Sequence, residues 1–326
     1  MLSLNVSILA GALCWDAAFG YPAPVFRAIR HPVVWVGALI TVLDRALNRE
    51  GAPVPIRRAA GVLSIAVVVG AAALPAAALQ LWAQQSLPSV VALVLLGTMA
   101  ASLIAQRSLA AHVQAVADGL DAGLDAGRAA VAQIVGRDPA SLDDAGVARA
   151  AIESLAENFA DGVVAPAVWC AIGGLPGIAA YKAINTADSM IGHRTPRHLW
   201  FGWASARLDD LVNLPGSRLA AVWLMLAALL HRGAHARGAL QATLRDARGH
   251  RSPNAGWPEA ALAGALGLRL AGPRRYHGVV AEDPWMGDGR AEATSNDIRA
   301  ALRLYRTACG LQISVSLIAA AAIASS

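Results

Sequence analysis

The sequence predicts an all-α fold, a polytopic integral membrane helical bundle with about four to six membrane segments. Its hydrophobic fraction is 56% and its charged fraction only 15%, whereas soluble domains average about 25% charged residues. The charges are also segregated, because residues 59–106 carry none while 237–251 are densely basic. A charge at the bilayer centre costs roughly 2.5–3.5 kcal/mol, so this segregation is typical of a membrane protein.

The apolar runs define the predicted elements in chain order. A spanning helix needs about 20 mostly apolar residues. The chain has six runs that approach this length, at 1–20, 59–80, 88–106, 162–181, 217–231 and 307–326. No basic stretch precedes the first run, so we interpret it as a retained membrane segment rather than a signal peptide. Residues 33–43 form an amphipathic run too short to span, which we place at the interface or inside the fold.

The runs 59–80 and 88–106 are predicted to form a helical hairpin. Its polar turn, around Gln84 and Pro88, lacks positive charge, while Arg58 and Arg107 lie at the outer ends. The positive-inside rule therefore places the turn outside the cytoplasm. The segments predicted to be cytoplasmic, with amphipathic helices and polar motifs, are 107–161, 182–216 and 232–306, and we predict one domain over 1–326.

Several function classes are disfavoured by composition. The net charge is +5 and the pI about 9.6, but the arginines flank apolar runs and no aromatic-interleaved basic stripe is present, so we predict no nucleic-acid binding. Cys14, Cys170 and Cys309 form no CxxC pair, which argues against a disulfide framework or a zinc site. The chain also has no HExxH, P-loop or GxGxxG motif.

The first polar motif combines Glu153, Glu157 and Asp161, spaced four residues apart. On an α-helix this spacing forms one stripe. Three carboxylates on one face repel each other unless a cation or a basic group lies among them. The alternative is a solvated helix face, against which stands the apolar run that begins at Gly162.

The second motif, at 181–193, places Asn185 and Asp188 on one helix face and offers Lys182 as a point charge for phosphate. Its alternative is a membrane-edge loop with a snorkelling lysine. The third motif contains Asp209, Asp210 and Asn213. Adjacent aspartates suit Mg²⁺ held between carboxylates and phosphate oxygens, although acids also favour a helix N-terminus.

The fourth motif is the turn at 252–259, which contains Ser252, Asn254 and Glu259. Its proline and glycine residues predict a rigid turn, and the small residues that follow allow a closely packed helix. A purely structural turn is the alternative.

Taken together, the four motifs resemble the CobD/CbiB family of cobalamin biosynthesis, the adenosylcobinamide-phosphate synthases. The matching stretches, in family order and spacing over nearly the whole chain, are ESLAENFADGVVAPAVW at 153–169, YKAINTADSMIGH at 181–193, RLDDLVNLPGSRLAA at 207–221 and SPNAGWPEAALAGALG at 252–267. None of the polar positions in these motifs departs from the family pattern.

The resemblance implies an ATP-dependent, ADP-forming amide ligase, multi-pass in the bacterial inner membrane with its active site facing the cytoplasm. Such enzymes join the free propionate carboxylate of adenosylcobyric acid, a corrinoid, to an amino alcohol phosphate such as (R)-1-amino-2-propanol phosphate. ATP and Mg²⁺ are the implied cofactors. The lipid bilayer and other membrane-bound cobalamin enzymes are the implied partners.

The resemblance and the chemistry together suggest roles for the motif residues. Expected metal ligands are Asp188, Asp209, Asp210, Glu157 and Asp161. Expected cofactor contacts are Lys182, Asn185, Arg194, Arg207, Asn213, Ser252, Asn254 and Glu259. Expected catalytic residues are Glu153, Glu157, Asp161, Lys182 and His193, with Glu153 or His193 as the base that deprotonates the amine.

Cytoplasmic ATP requires all four motifs to reach one side of the membrane. If 162–181 and 217–231 both spanned, the second and third motifs would face outward. We therefore predict that the proline- and glycine-rich run 162–181 is re-entrant, or that the motifs line a cavity open to the cytoplasm. Alternative functions are an aspartate-motif transferase of the prenyl or alcohol phosphotransferase type, a transporter and a non-enzymatic partner in the pathway.

Overall fold

The computed structural model describes residues 2–21, 24, 27–28, 30–136, 139–272, 274–276, 279–281 and 283–325. The helices named in this article are α1 Leu2–Phe19, α2 Pro32–Leu47, α3 Val54–Ser86, α4 Ser89–Ala101, α5 Gln106–Ala122, α6 Leu124–Val131, α7 Asp144–Phe159, α8 Ala165–Ile191, α9 Trp203–Val212, α10 Leu214–Leu230, α11 Ala236–Asp246, α12 Gly256–Leu266 and α13 Ser295–Ala324. A π-helical turn, Ala160–Val164, joins α7 to α8.

The predicted all-α membrane fold is confirmed. Within the described residues, five helical stretches are long and apolar enough to cross a membrane, or six if α9 and α10 count together as one broken span. Sheet structure there is confined to two short antiparallel pairs, in which β1 Leu270–Ala271 pairs with β4 Trp285–Met286 and β2 Arg274–Tyr276 pairs with β3 Val279–Ala281. The protein is therefore a multi-pass helical membrane protein.

One predicted helix boundary needs correction. The first run of the hairpin is predicted to end at residue 80, but α3 continues to Ser86 and the chain turns at Leu87 and Pro88. A helix can carry polar side chains through its last turns as long as each finds a partner, and Gln80 has partners inside the fold. Helix α7 begins after an N-cap at Asp143, whose carboxylate accepts from the backbone N–H of Gly146 at 2.7 Å.

The chain forms two compact units, each discontinuous in sequence. Unit 1 comprises 1–105, 165–213 and 315–326, and unit 2 comprises 106–164 and 214–314. The prediction of a single synthase domain over 1–326 stays a prediction, because two compact units can still fold together as one domain.

In unit 1, α8 is the central helix, and it packs against α1, α2, α3 and α9. The core around it is formed by buried side chains that include Ile65 and Val68 on α3 and Ile184 and Ile191 on α8. Many large apolar side chains of α3 and α4 face outward, such as Leu74 at 71% exposure. An outward apolar face is expected where lipid replaces water as the solvent.

The run predicted to be broken, 162–181, is broken at Gly174. This residue has φ of 63° and ψ of −147°, so α8 consists of two helical halves. A Cβ added at Gly177 would overlap the carbonyl oxygen of Trp169. Residues eight apart in a straight helix are separated by about 12 Å along its axis, so the chain bends sharply at Gly174 and the two halves contact each other beside the bend.

Two polar side chains stabilise this break. Asn5 on α1 donates its side-chain N–H to the carbonyl oxygen of Ile172 at 3.0 Å, and Gln80 on α3 accepts from the backbone N–H of Leu175 at 2.8 Å. Gln80 also donates to the Asn5 amide oxygen at 3.3 Å. Backbone groups freed by a helix break must find partners inside a membrane protein, and these amides supply them.

In unit 2, α11 and α12 pack closely, and α10 lies against α12. Gly238 and Gly264 make this approach possible, since a Cβ on either residue would overlap the backbone of the other. Phe159 at the end of α7 meets Tyr305 of α13 edge to face, with ring centroids 5.3 Å apart. The fourth motif is thereby carried on a tightly packed helix, as its small residues predicted.

A network of charges in unit 1 anchors the loop that leads from α8 to α9. Arg197 in this loop pairs with Asp44 of α2 at 2.7 Å and with Glu50 at 3.0 Å. Arg57 of α3 donates to the carbonyl oxygen of Arg197, and Asn48 donates to the same oxygen at 3.0 Å. The loop is therefore held to α2 and α3 by several charge-assisted hydrogen bonds.

The charge of Asp44 makes this anchor sensitive to acid. Partial burial on its own would raise the pKa of Asp44, but hydrogen bonds from Asn48 and Arg197 and the Arg197 charge outweigh it and hold the pKa below its ordinary value. The resulting stabilisation is complete above the unfolded pKa of about 4 and is lost as the pH falls through the lower folded value. As the pH falls from about 4 through the lower folded pKa of Asp44, we expect the melting temperature to fall less for Asp44→Asn than for the wild type.

The matched control is Glu50→Gln, since Glu50 pairs with the same arginine but its side chain is 63% exposed. Exposed pairs contribute little to stability, so this variant should follow the wild-type acid profile. If the melting temperature of Asp44→Asn fell with pH as steeply as that of the wild type, the Asp44 charge would not be the cause of the acid sensitivity.

Candidate functional site

Six predicted site residues lie on the second half of α8, on α9 and at the C-cap of α9, all in unit 1. We call them the aspartate cluster, and they are Lys182, Asn185, Asp188, Asp209, Asp210 and Asn213. The helical spacing of three places Lys182, Asn185 and Asp188 along one side of α8. Helix α9 packs against α8 and brings the second set of acids to the first.

Asp209 is the best-defined member of the aspartate cluster. Its side chain is nearly buried, at 8% exposure, and both carboxylate oxygens accept hydrogen bonds. The side-chain N–H of Asn213 donates to one oxygen at 3.0 Å, and that of Asn185 donates to the other at 3.4 Å. Lys182 donates to the amide oxygen of Asn185 at 3.3 Å, which connects the amine to the carboxylate through one amide.

Three carboxylates of the cluster are close enough for their charges to repel one another, namely Asp188, Asp209 and Asp210. Gly192 allows the chain to leave α8 here, because a Cβ at that position would overlap the Asp188 carboxylate. Like charges gathered at partly buried positions favour a cation between them. Carboxylate oxygens are the ligands Mg²⁺ prefers.

No group of three or more His, Cys, Asp or Glu side chains is arranged to enclose a metal ion within the residues the structure describes. Mg²⁺ is usually held by one or two protein carboxylates together with substrate phosphates and water. Asp209 with Asp188 or Asp210 would supply such a pair. The individual metal assignments stay predictions.

The expected basic contacts of unit 1 lie at the surface of the same region. Arg207 approaches the carboxylate of Asp210 at 3.5 Å, and its side chain is 63% exposed. Arg194 and His193 are exposed in the loop after α8, and the His193 ring lies 2.9 Å from the carbonyl oxygen of Ser189. These side chains are accessible to a ligand, and their roles remain predictions.

Lys182 also helps to line an apolar cavity of about 390 Å³. Its lining is almost wholly apolar and includes Trp35 of α2, Pro75 of α3 and Ala179 of α8. Burial, with a smaller contribution from the Lys182 charge, lowers the pKa of His31 beside α2. Lys182 thus both lines the apolar cavity and belongs to the aspartate cluster.

A second polar group lies in unit 2 and combines the end of the third motif with the fourth. Arg218 of α10 donates to the Asn254 amide oxygen at 2.7 Å, and the Ser217 hydroxyl donates to the same atom at 3.1 Å. The Arg218 guanidinium also lies 4.6 Å from the ring centroid of Trp257. Cation–π contact and hydrogen bonding hold this arginine in one orientation.

The other predicted residues of the fourth motif form its turn. The Ser252 hydroxyl accepts from the backbone N–H groups of Asn254 and Ala255, each at 3.2 Å. Glu259 is 3% exposed, and its carboxylate lies 3.8 Å from the His250 ring. The geometry of Ser252 explains the rigid turn, while ligand contacts for Asn254 and Glu259 remain predictions.

The acid stripe of the first motif does not present one uniform face. Glu153 is buried, Glu157 is exposed and Asp161 is half-buried. Asp161 belongs to the π-helical turn, so the four-residue spacing no longer places it directly above Glu157. The Glu153 carboxylate accepts from the backbone N–H of Ala271 at 2.9 Å, so the alternative of a solvated face is wrong for this residue.

The backbone of Ala271 has a φ of 58°, which is a strained conformation for a residue with a side chain. The hydrogen bond from its N–H to Glu153 stabilises this conformation. Glu153 therefore has a structural partner of its own, and its role as general base stays a prediction. The roles of Glu157 and Asp161 as metal ligands likewise stay predictions.

Sequence reasoning assigned no role to three residues that the structure connects to these groups. Tyr181 contacts Asn213, whereas Arg218 and Trp257 contact one another beside Asn254. All three lie inside the motifs that were singled out, at 181–193, 207–221 and 252–267. The aromatic character of Tyr181 and Trp257 concealed them, because a buried aromatic residue is usually part of a core. Arg218 reveals its role only through its contacts with Asn254 and Trp257.

Comparisons with known proteins cover nearly the whole chain. The family model described as CobD/Cbib protein matches residues 9–305. A cobalamin biosynthesis protein CobD from Sinorhizobium sp is 51% identical over 93% of this chain and 94% of its own length. The proteins of that name from Rhodobacter capsulatus and Brucella suis are 49% and 46% identical, over 96% and 97% of this chain and 97% and 98% of their own. No solved structure matches the chain.

Proposed function

This chain belongs to the CobD/CbiB family, and from that membership we propose that it is an enzyme of cobalamin biosynthesis, an adenosylcobinamide-phosphate synthase. Its relatives are named for cobalamin biosynthesis, a role that implies corrinoid substrates. The proposed reaction is ATP- and Mg²⁺-dependent amide formation between the free propionate carboxylate of adenosylcobyric acid and an amino alcohol phosphate such as (R)-1-amino-2-propanol phosphate.

The aspartate cluster carries the proposal. An ATP-dependent ligase needs oxygen ligands for Mg²⁺ and a cation for the transferring phosphoryl group. Asp209, held between two amides, lies among neighbouring aspartates and is linked to Lys182 through Asn185. Asp209 with Asp188 or Asp210 would hold Mg²⁺, which when bound would supply positive charge to offset that of the phosphate groups.

The chemical steps follow from the poor reactivity of a carboxylate as an acyl donor. In the proposed first step, the substrate carboxylate oxygen forms a bond to the γ-phosphorus of ATP, and the bond to ADP breaks. Lys182 would donate hydrogen bonds to the transferring phosphoryl oxygens, whose charge it offsets. The product of this step is an acyl phosphate, whose phosphate group can leave.

In the second step, the amine nitrogen attacks the acyl carbon, inorganic phosphate leaves, and the amide forms. The ammonium group must first lose a proton, which His193 or Glu153 would accept. The exposure of His193 leaves its ring accessible to an incoming amine, whereas the Glu153 carboxylate already accepts the Ala271 N–H. His193 is therefore our preferred base.

A coupled assay on the purified protein tests the proposed function. We expect ADP release that requires adenosylcobyric acid, amino alcohol phosphate and Mg²⁺ together, with one adenosylcobinamide phosphate formed per ADP. Product formation without ATP consumption would instead indicate a transferase. Accumulation of a substrate in reconstituted vesicles, without any product, would indicate a transporter.

We also propose that the protein lies in the bacterial inner membrane with the aspartate cluster open to the cytoplasm, where ATP is available. The sharp bend at Gly174 supports a re-entrant run at 162–181. Ser189 is exposed beside the cluster, so Ser189→Cys in intact cells should resist an impermeant external thiol reagent. Labelling from outside would overturn this orientation.

A further inference from the structure

Tyr181 is fully buried beside the aspartate cluster, yet its hydroxyl has a polar partner. The residue is 1% exposed, and its hydroxyl donates to the side-chain oxygen of Asn213 at 2.7 Å. A buried tyrosine hydroxyl without such a partner would be costly. The placement of this ring therefore depends on Asn213, and the orientation of Asn213 depends on the ring.

Asn213 transmits this orientation to Asp209. The Asn213 amide presents its N–H₂ group to the Asp209 side chain and donates to one of its oxygens at 3.0 Å. Its oxygen then faces Tyr181, whose hydroxyl must donate. This donor order allows only one orientation of the amide, and Asn213 is itself only 1% exposed.

On the other side, Asn185 and Lys182 complete the same chain of hydrogen bonds. The Asn185 amide donates to the second oxygen of Asp209 at 3.4 Å and accepts from Lys182 at 3.3 Å. Two neutral amides thus orient both oxygens of the Asp209 side chain. Each oxygen keeps a further lone pair that can face a cation.

We infer that Tyr181 is a positioning residue, which acts through Asn213 to aim the Asp209 carboxylate at the cation. This inference rests on the proposed function, in which Asp209 binds Mg²⁺. It also assigns Asn213 to the support of Asp209 rather than to direct contact with ATP. Residues that orient a metal ligand in this manner commonly change metal affinity or activity by about 10- to 100-fold when replaced.

The test replaces one hydroxyl. Tyr181→Phe removes the donor to Asn213 and keeps the ring. Its matched control is Tyr305→Phe. Tyr305 is likewise buried, at 2% exposure, and its hydroxyl donates to the carbonyl oxygen of Gln106 at 2.9 Å. Mn²⁺ binding to each purified, intact protein is measured by electron paramagnetic resonance, with melting temperature as the measure of folding.

We expect Tyr181→Phe to weaken Mn²⁺ binding by about 10- to 100-fold, while Tyr305→Phe binds as the wild type does. If Tyr181→Phe binds Mn²⁺ normally although Asp209→Asn does not, the positioning role is overturned and the metal site stands. Should the wild type bind no Mn²⁺, or should Asp209→Asn bind it normally, the metal role of Asp209 fails and the positioning role with it. Equal weakening in both tyrosine variants would indicate a general loss of packing and would also overturn the inference.

Discussion

Asp209→Asn is expected to lower ATP-dependent amide formation by about 100-fold or more. Asparagine has nearly the same shape as aspartate but lacks the charge that would hold Mg²⁺. Its N–H₂ group also cannot accept one of the two hydrogen bonds that Asn185 and Asn213 donate to the carboxylate. Electrostatic groups that act on a developing charge are commonly worth about 10²–10³ in rate. The measurement is the rate of adenosylcobinamide phosphate formation by the purified variant at saturating ATP.

Asp125→Asn is the control for this substitution. Asp125 is also an aspartate on a helix, but its side chain is 96% exposed and pairs only with Arg128 three residues later among the ion pairs described. Its replacement should leave the rate unchanged. If Asp209→Asn kept the wild-type rate and Mg²⁺ dependence, Asp209 would have to be removed from the proposed metal site.

Gly177→Ala is expected to destabilise the folded protein severely. The added Cβ would overlap the carbonyl oxygen of Trp169, and a backbone atom cannot move aside as the end of a flexible side chain can. The two halves of α8 would therefore have to separate. Overpacking a well-packed interior costs about 1–3 kcal/mol, and more when the backbone must move.

Separation would also disturb the aspartate cluster, because Trp169 donates its indole N–H to the carbonyl oxygen of Val212 at 2.9 Å. Val212 precedes Asn213. We therefore expect a lower melting temperature in detergent, a lower yield of monodisperse protein and reduced activity of what remains. Thermal unfolding monitored on a size-exclusion column measures the first two effects.

Gly173→Ala is the matched control in the same segment. A Cβ at Gly173 would meet no atom within 4 Å, so the change should leave the melting temperature nearly unaltered. Equal melting temperatures for Gly177→Ala and the wild type would show that the two halves of α8 are not in contact in the membrane.

Local composition was enough to predict the fold class. The lack of charge over 59–106 and the apolar character of 307–326 indicate membrane helices, because the bilayer acts on each segment separately. Even the break in α8 was predicted to within its glycine-rich segment. The geometry of that break was not, since it depends on Asn5 and Gln80, which lie on two other helices.

In the candidate site, too, local spacing predicts some features, whereas contacts between helices determine others. Lys182, Asn185 and Asp188 could be placed on one side of a helix from their spacing alone. That Asn185 reaches Asp209, 24 residues later in the chain, depends on how α8 packs against α9. Tyr181 could not have been distinguished from an ordinary core residue, because only its neighbour Asn213 reveals that its hydroxyl is used.

The sequence by itself determined that this is a helical membrane protein of the CobD/CbiB family, with its polar residues in four motifs. Hydropathy, helical spacing and motif order are properties of neighbouring residues, and they can be read without knowing the fold. Only the tertiary structure decided that Glu153 is buried against Ala271 and that the Asp209 carboxylate is held between two amides. Those contacts join residues distant in sequence, and helix packing determines them.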